Sequence, residues 1–208
     1  MRKMAMERGS NAARHDFDSL PLSPDIDVHC AQFSEIAALS DMAHRLVPGV
    51  RIGYADLARY YTLDPESILT FSRKGRLLGG MAFLFLSDRG HDALLLDEIC
   101  LTEPDARLLA SGNEEVSAIY IWAIAATGRG IAGLGKAAAH LRRPRLRRAD
   151  LFAQPATPAG RDIMKATGFE PMASFQPDLW CYERPWNRQP LRMPDSIFTV
   201  RSFADARH

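Results

Sequence analysis

Residues 116–126, the longest uncharged apolar stretch of the chain, run without a break into Thr127-Gly128-Arg129-Gly130-Ile131-Ala132-Gly133-Leu134-Gly135-Lys136. Eleven such residues rich in Ile, Tyr and Trp are too few to span a bilayer, which takes about 18 or more, and have the composition of a buried central strand. A strand that ends in glycines and is followed by a helical pattern makes a specific kind of turn. Its backbone can approach an anion closely, and its N–H groups and the start of the helix point at that anion. The sequence therefore predicts a pyrophosphate site at residues 127–135. Close packing of the helix on the sheet is the competing explanation of the same glycines.

Three phosphate-binding arrangements fit a glycine turn, and spacing separates them. A P-loop needs Gly, four residues, then Gly-Lys-Ser/Thr; Gly130 and Gly135-Lys136 have that spacing, but Ala137 takes the place of the magnesium-binding hydroxyl. Gly128-x-Gly130-x-x-Gly133 matches the dinucleotide fingerprint, with Asp150 near the position of its acidic residue, but that motif follows the first strand of a fold. Here at least four strands precede it, so a nucleotide-dependent oxidoreductase ranks well behind.

The pattern along the chain explains the count. Residues 1–24 are polar, lack apolar periodicity and contain Pro21 and Pro24, which predicts a mobile lead-in. Alternation over 26–30 predicts a first strand. Apolar residues at helical spacing from Ser34 to the stop at Pro48-Gly49 predict a helix, and a second is expected over 54–61. The segments 68–73 and 77–86 around Lys74-Gly75 read as a hairpin. A turn at 88–90 leads to a strand expected over 93–101. After the glycine turn come a helix over 131–143, a strand over 149–154, a helix over 158–167 with Pro near its start and Gly168 at its end, and closing strands over 169–175 and 179–183. Residues 185–208 form a tail in which Ile197, Phe198 and Phe203 offer apolar side chains for docking. The fold class is mixed α/β: a mostly antiparallel central sheet flanked by helices, in one domain over 25–184.

This order, together with two motifs, resembles the GNAT acyltransferase superfamily over about residues 25–184. The family's turn reads Arg or Gln, two residues, Gly, one residue, Gly or Ala; Thr127-Gly128-Arg129-Gly130-Ile131-Ala132 agrees except at its first position. The later run from Ala159 to Ile163-Met164-Lys165-Ala166-Thr167-Gly168-Phe169-Glu170 is similar to the family's helix ending in Gly-Phe. The resemblance implies acetyl-CoA or another acyl-CoA as co-substrate and no metal. It implies cofactor contacts at Thr127, Gly128, Arg129, Gly130, Ile131 and Ala132, with main-chain pairing near Ile121 and Trp122. The strand before the turn is expected to splay from its neighbour after Gly168-Phe169, leaving a gap for the pantetheine arm. An acyl group, by default acetyl, then passes directly to an amine on a small molecule or protein.

Such chemistry needs a positioned thioester, a base for the amine proton and donors for the oxyanion. Glu115, early in the strand, is the candidate base, and Tyr120 a candidate phenol. Met164 stands where many members carry the Tyr that protonates the departing thiolate, and methionine donates no proton. A silent acyl-CoA sensor, or a transferase using a longer acyl chain from CoA or an acyl carrier protein, is the alternative.

The remaining features narrow the setting. Cys30, Cys100 and Cys181 lie far apart, with no metal-ligand spacing or disulfide pattern, and His29, His44 and His140 form no metal spacing either. A cytoplasmic protein is expected, since Met1-Arg2-Lys3 is followed by charged residues instead of an apolar signal core. A net charge of +1 supplies no global field for nucleic acid. The run from His140 to Arg148 reads as cations at a helix C-terminus, or as a contact for the 3′-phosphate of CoA. No membrane partner is expected, and a homodimer is allowed.

Overall fold

The computed structural model describes residues 16–47, 53–112 and 114–185. Seven strands form one sheet in the order β1-β2-β3-β4-β5-β7-β6. They are β1 (Asp27–Cys30), β2 (Ile68–Arg73), β3 (Arg76–Leu86), β4 (Ala118–Ala126), β5 (Asp150–Ala153), β6 (Glu170–Pro171) and β7 (Trp180–Tyr182). Every neighbouring pair is antiparallel except β4 and β5. The mixed α/β class expected from the sequence is the one present. No helix among the described residues is long and apolar enough to cross a membrane.

Alternation along β3 assigns the two faces. Met81, Phe83 and Phe85 belong to a core shared with α4 (Leu134–Leu141) and α5 (Pro158–Ala166). Ala82, Leu84 and Leu86 face α1 (Ile36–Leu46), α2 (Tyr54–Leu63) and α3 (Asp88–Leu95). The β2–β3 hairpin turns on Lys74 and Gly75, both at positive φ (50° and 75°), as a two-residue hairpin of right-handed strands requires.

Two irregularities prepare the site. β3 has one residue more than β2 between the pairs Phe71/Gly79 and Ser72/Leu77, and that residue is Leu78. Its carbonyl oxygen accepts the Thr127 N–H at 2.8 Å, one step beyond the Gly79/Ala126 pair of β3 and β4, and the Thr127 hydroxyl at 3.1 Å. β4 has one residue more than β3 between Ala82/Ala123 and Phe83/Ile121, which is Trp122. Bulges re-aim side chains; here Ile119 and Ile121 share a core with Ile124 and Ala126, while Trp122 and Ala123 both pack on the opposite face.

Three expectations are corrected. The turn expected at 88–90 is the start of the helix α3, which Ser87 caps by accepting the Gly90 N–H at 3.3 Å and whose positive N-terminal end Asp88 favours; the strand expected over 93–101 is absent, with 93–95 ending that helix and 96–101 in turns and bends. Gly90 is required there, since a Cβ would lie 2.0 Å from the Leu108 oxygen. The splayed neighbour of β4 is β5, which precedes Gly168-Phe169; the strand that follows them, β6, lies at the sheet edge beside β7. Residues 16–24, expected to belong to a mobile lead-in, are part of the folded structure. Phe17–Ser19 forms a helical turn, Phe17 is 2% exposed, and the Asp18 carboxylate pairs with the fully buried Arg184 guanidinium. Residues 1–15 and the proposed docking residues Ile197, Phe198 and Phe203 lie outside the described residues.

The strap 16–24 crosses α4 at Gly135, where a Cβ would lie 2.2 Å from the Pro21 oxygen. Gly135→Ala is therefore expected to lower stability by about 1–3 kcal/mol, the usual cost of overpacking against backbone. Urea denaturation followed by circular dichroism measures it, and an unchanged midpoint would show that the strap gives way freely.

Candidate functional site

β4 and β5 pair only from Ala118/Asp150 to Ile121/Ala153. β4 then continues to Ala126, while the segment after β5 leaves through Gln154 and Pro155. Proline has no N–H to extend a ladder, so the two strands part and β4 keeps an edge over 122–126 that β5 does not pair. The gap is a cleft of about 250 Å³. Ile121, Trp122, Ala123, Ile124, Ala125 and Ala126 form one wall, and Ala153, Gln154, Pro155 and Ala156 the other. Ile131 from the glycine turn and Leu134 from α4, then Gly160, Ile163 and Met164 from α5 and Phe169 just after it, line one side, with Leu46 and Val47 on the opposite side of the sheet.

The glycine turn stands at the open end of this cleft. Thr127, Gly128, Arg129, Ile131 and Ala132 are exposed, and Gly128 takes φ 52°. Residues Gly128–Gly133 form a 3-10 helix that leads directly into α4, so α4 begins three residues later than the sequence predicts. The first N–H groups of such a helix have no intrahelical acceptor. Both explanations of the glycines hold at different positions. A Cβ on Gly130 would lie 2.9 Å from the Leu78 oxygen and one on Gly133 2.8 Å from the Phe71 ring, so these two serve packing. A Cβ on Gly128 would meet nothing within 4 Å, so its glycine serves the positive φ of the turn.

Thr127 is turned toward the sheet, its hydroxyl donating to Leu78. Ile121 and Trp122 line the cleft; the Trp122 indole N–H donates to the Leu101 carbonyl at 2.6 Å and its ring meets Tyr60 edge-on at 5.1 Å. Tyr120 is buried beside the point where the strands part, and its hydroxyl donates to Gln154 Oε1 at 2.8 Å. Burial raises its pKa well above the usual phenol value. Gln154 is held in turn by donating Nε2–H to the Pro177 carbonyl at 2.5 Å. Glu115 is exposed, precedes β4 and is not among the residues that line the cleft.

Among the described lining residues there is no Asp, Glu, His, Cys, Lys, Arg or Tyr. The polar side chains are Trp122, Gln154, Thr157 and Thr167, and all four are engaged: Thr167 donates to Ile163 and Met164 carbonyls, and Trp122 and Gln154 as above. Thr157 caps α5 by accepting the Gly160 N–H at 3.0 Å. The cleft can position an apolar thioester and exclude water from it; it presents no side chain that changes charge.

The basic run lies at the far end of α4 from the turn, about 12 Å away for eight residues at 1.5 Å each. Two of its arginines pair with carboxylates there, Arg143 with Glu66 at 2.7 Å and Arg145 with Asp64 at 2.6 Å. Sequence reasoning missed Phe17 as a cleft wall, Trp122 as a bulge and Gln154. Pro155 was the one local signal, marking where β5 must stop.

No protein-family model matches the sequence, and no curated protein matches it. Many of the solved structures that match are GNAT-family acetyltransferases. An N-acetyltransferase from Staphylococcus aureus Mu50 is 13% identical, over 75% of this chain and 94% of that one, with a TM-score of 0.48. Ard1 from Thermoplasma volcanium is 14% identical, over 76% of this chain and 95% of that one, with a TM-score of 0.46. GphF, a GNAT-like decarboxylase solved with isobutyryl-CoA, is 17% identical over 66% of this chain and 71% of that one, with a TM-score of 0.44.

Proposed function

We propose that the protein binds an acyl-CoA thioester in the cleft between β4 and β5 and transfers the acyl group to an amine. The observation that carries this reading is the conjunction of an unpaired strand edge, an apolar gap and a glycine turn at the mouth of that gap. A pantetheine arm carries amides that can pair with a strand edge as an added strand does, and its diphosphate suits free N–H groups at Gly128 and Arg129. Arg129, exposed in the turn, takes the charge-pairing role that Thr127 does not fill. Ala123 to Ala126 and Ile163 keep water from the thioester.

The reaction forms a C–N bond as the C–S bond breaks: the amine attacks the carbonyl, loses its proton, and CoA departs as thiol. With no ionisable side chain lining the cleft, positioning supplies most of the acceleration. The amine must arrive neutral or give its proton to water, with Glu115 and Tyr120 remaining candidates only through groups that move. The same observation favours a second reading, a sensor that binds acyl-CoA without turnover. An amine acceptor and a cytoplasmic setting belong to this proposal as well, with acetyl as the default acyl group.

A dinucleotide is disfavoured by the position of the turn after the fourth strand and by Asp150, whose Oδ1 accepts the Arg184 backbone N–H at 2.7 Å. Calorimetry with acetyl-CoA and with NAD(H) separates the two: acetyl-CoA is expected to bind, and preference for NAD(H) overturns the proposal. Release of free CoA thiol with a panel of amines distinguishes the transferase from the sensor.

A further inference from the structure

The segment 172–179, between β6 and β7, is tied down along its length. The Met172 N–H donates to the Leu179 carbonyl at 3.1 Å, and the Phe175 N–H donates at 3.0 Å to the carbonyl of Leu95, the last residue of α3. The Ser174 hydroxyl donates to the Gln176 carbonyl at 3.1 Å. The Pro177 carbonyl accepts from Gln154, which lines the cleft, and the Asp178 carboxylate pairs with Arg161 of α5 at 2.7 Å. The loop therefore bridges α3, α5 and the cleft wall, with Gln176 one residue from the contact to Gln154.

The side chain of Gln176 does not share in this anchoring. It is 9% exposed, and its buried Oε1 accepts no hydrogen bond among the described residues. Leaving a buried acceptor so costs stability, and such an atom calls for a donor. The residues beside it describe what else a donor would meet. Phe175 is 76% exposed, and Leu96, next in the chain to the residue that holds Phe175, is 48% exposed. Asp97 and Glu98 follow, both exposed and paired with no cation among the described residues. The arginines of adjoining segments are taken already, Arg59 by Glu103, Arg107 by Asp105 and Arg161 by Asp178.

We propose that Gln176 receives an N–H of the acceptor amine, and that this acceptor is a cationic amine with an apolar body, lying against Phe175 and Leu96 with Asp97 and Glu98 opposing its charge. The proposal rests on the acyl-CoA reading and names the acceptor for the same site. The last torsion of a glutamine is broad, and with no bond to Oε1 to break, the carboxamide turns toward the cleft wall at little cost. A neutral carbonyl oxygen accepts an N–H from an amine in either protonation state, so it holds the nitrogen while the proton leaves. An acceptor bearing a carboxylate meets two like charges at Asp97 and Glu98.

The test is calorimetry of phenethylamine and of glutamate with the CoA-saturated full chain and with its Gln176→Met and Phe175→Ala variants. The wild type is expected to bind phenethylamine and not glutamate. Gln176→Met, similar in length but without an acceptor oxygen, is expected to bind phenethylamine about tenfold more weakly, the worth of one hydrogen bond. Its CoA affinity stays unchanged, and its melting temperature stays level or rises, because no bond to Oε1 is lost. Phe175→Ala, at an exposed position, weakens phenethylamine severalfold without changing the melting temperature. Wild-type affinity for phenethylamine in Gln176→Met, above all with a lowered melting temperature, shows a structural glutamine and overturns the proposal. Glutamate bound as tightly as phenethylamine, or phenethylamine not bound at all while CoA binds, overturns it and leaves the acyl-CoA reading intact. Failure of both CoA and acetyl-CoA to bind overturns that reading and the proposal together.

Discussion

Replacing Arg184 by Met is expected to destabilise the protein by about 3–5 kcal/mol, the cost of leaving one partner of a buried ion pair alone. Arg184 is fully buried, its guanidinium shared among the Asp18 carboxylate, the Ala149 carbonyl at 3.1 Å and the Leu141 carbonyl at 2.9 Å. Methionine fills much of the volume but donates nothing, so Asp18 and two carbonyl oxygens lose their donors together. The pair also joins the strap to the end of β7 and the end of α4, so its loss is expected to loosen Phe17 as well. Urea denaturation measures the effect, and Asp18→Leu combined with Arg184→Met should recover part of it, because the double variant leaves no charge stranded. A double variant less stable than Arg184→Met would mean that the strap is held by its backbone contacts and not by this pair.

How much of this was legible depends on how far apart the deciding residues lie. The hairpin at Lys74-Gly75 was readable because two adjacent residues set its φ angles. The helix α5 was readable from Pro158 near its first turn and Gly168 at φ 88° after its last. The strand-to-turn junction at Ala126 was readable from composition alone. By contrast, residues 93–101 are apolar enough for a strand, but their first three close a helix whose cap, Ser87, lies several residues upstream. The strap was missed because 1–24 lacks periodicity, and Phe17 owes its burial to Phe169 and Tyr182, more than 150 residues away in sequence.

The candidate site divides in the same way. The resemblance implied cofactor contacts at Ile121, Trp122 and Ile131, and what the structure adds is that these three side chains line the same cleft. The register that makes Trp122 the extra residue of β4 is set by β3, some forty residues earlier, and no local pattern encodes it. The glycines carried two roles that sequence could not separate, since contact of Gly130 with Leu78 and of Gly133 with Phe71 is a property of the packed sheet. Phe17 and Gln154 belong to the site only because β5 stops at Pro155 and α5 lies over the gap.

Met164→Tyr is expected to raise the rate of CoA thiol release by about 10²-fold, the lower end of what one positioned acid contributes. Met164 lies in the wall of the cleft at 8% exposure, on the last full turn of α5, where the described lining has no proton donor of suitable acidity. A phenol titrates at about 10 and a thiol at about 8.5, so a tyrosine there can hold its proton at neutral pH and still pass it to a departing thiolate. The gain should appear in turnover, since a transition-state interaction does not tighten ground-state binding. Met164→Phe is the control: similar bulk without the hydroxyl, hence no gain. Thiol release with an amine panel measures the rates, and calorimetry with acetyl-CoA shows that each variant still binds. If Met164→Tyr binds acyl-CoA as the wild type does yet releases no more thiol than Met164→Phe, an acid is not what the cleft lacks. The thioester would then be held without its carbonyl being exposed to an amine, and the sensor reading would become the stronger one.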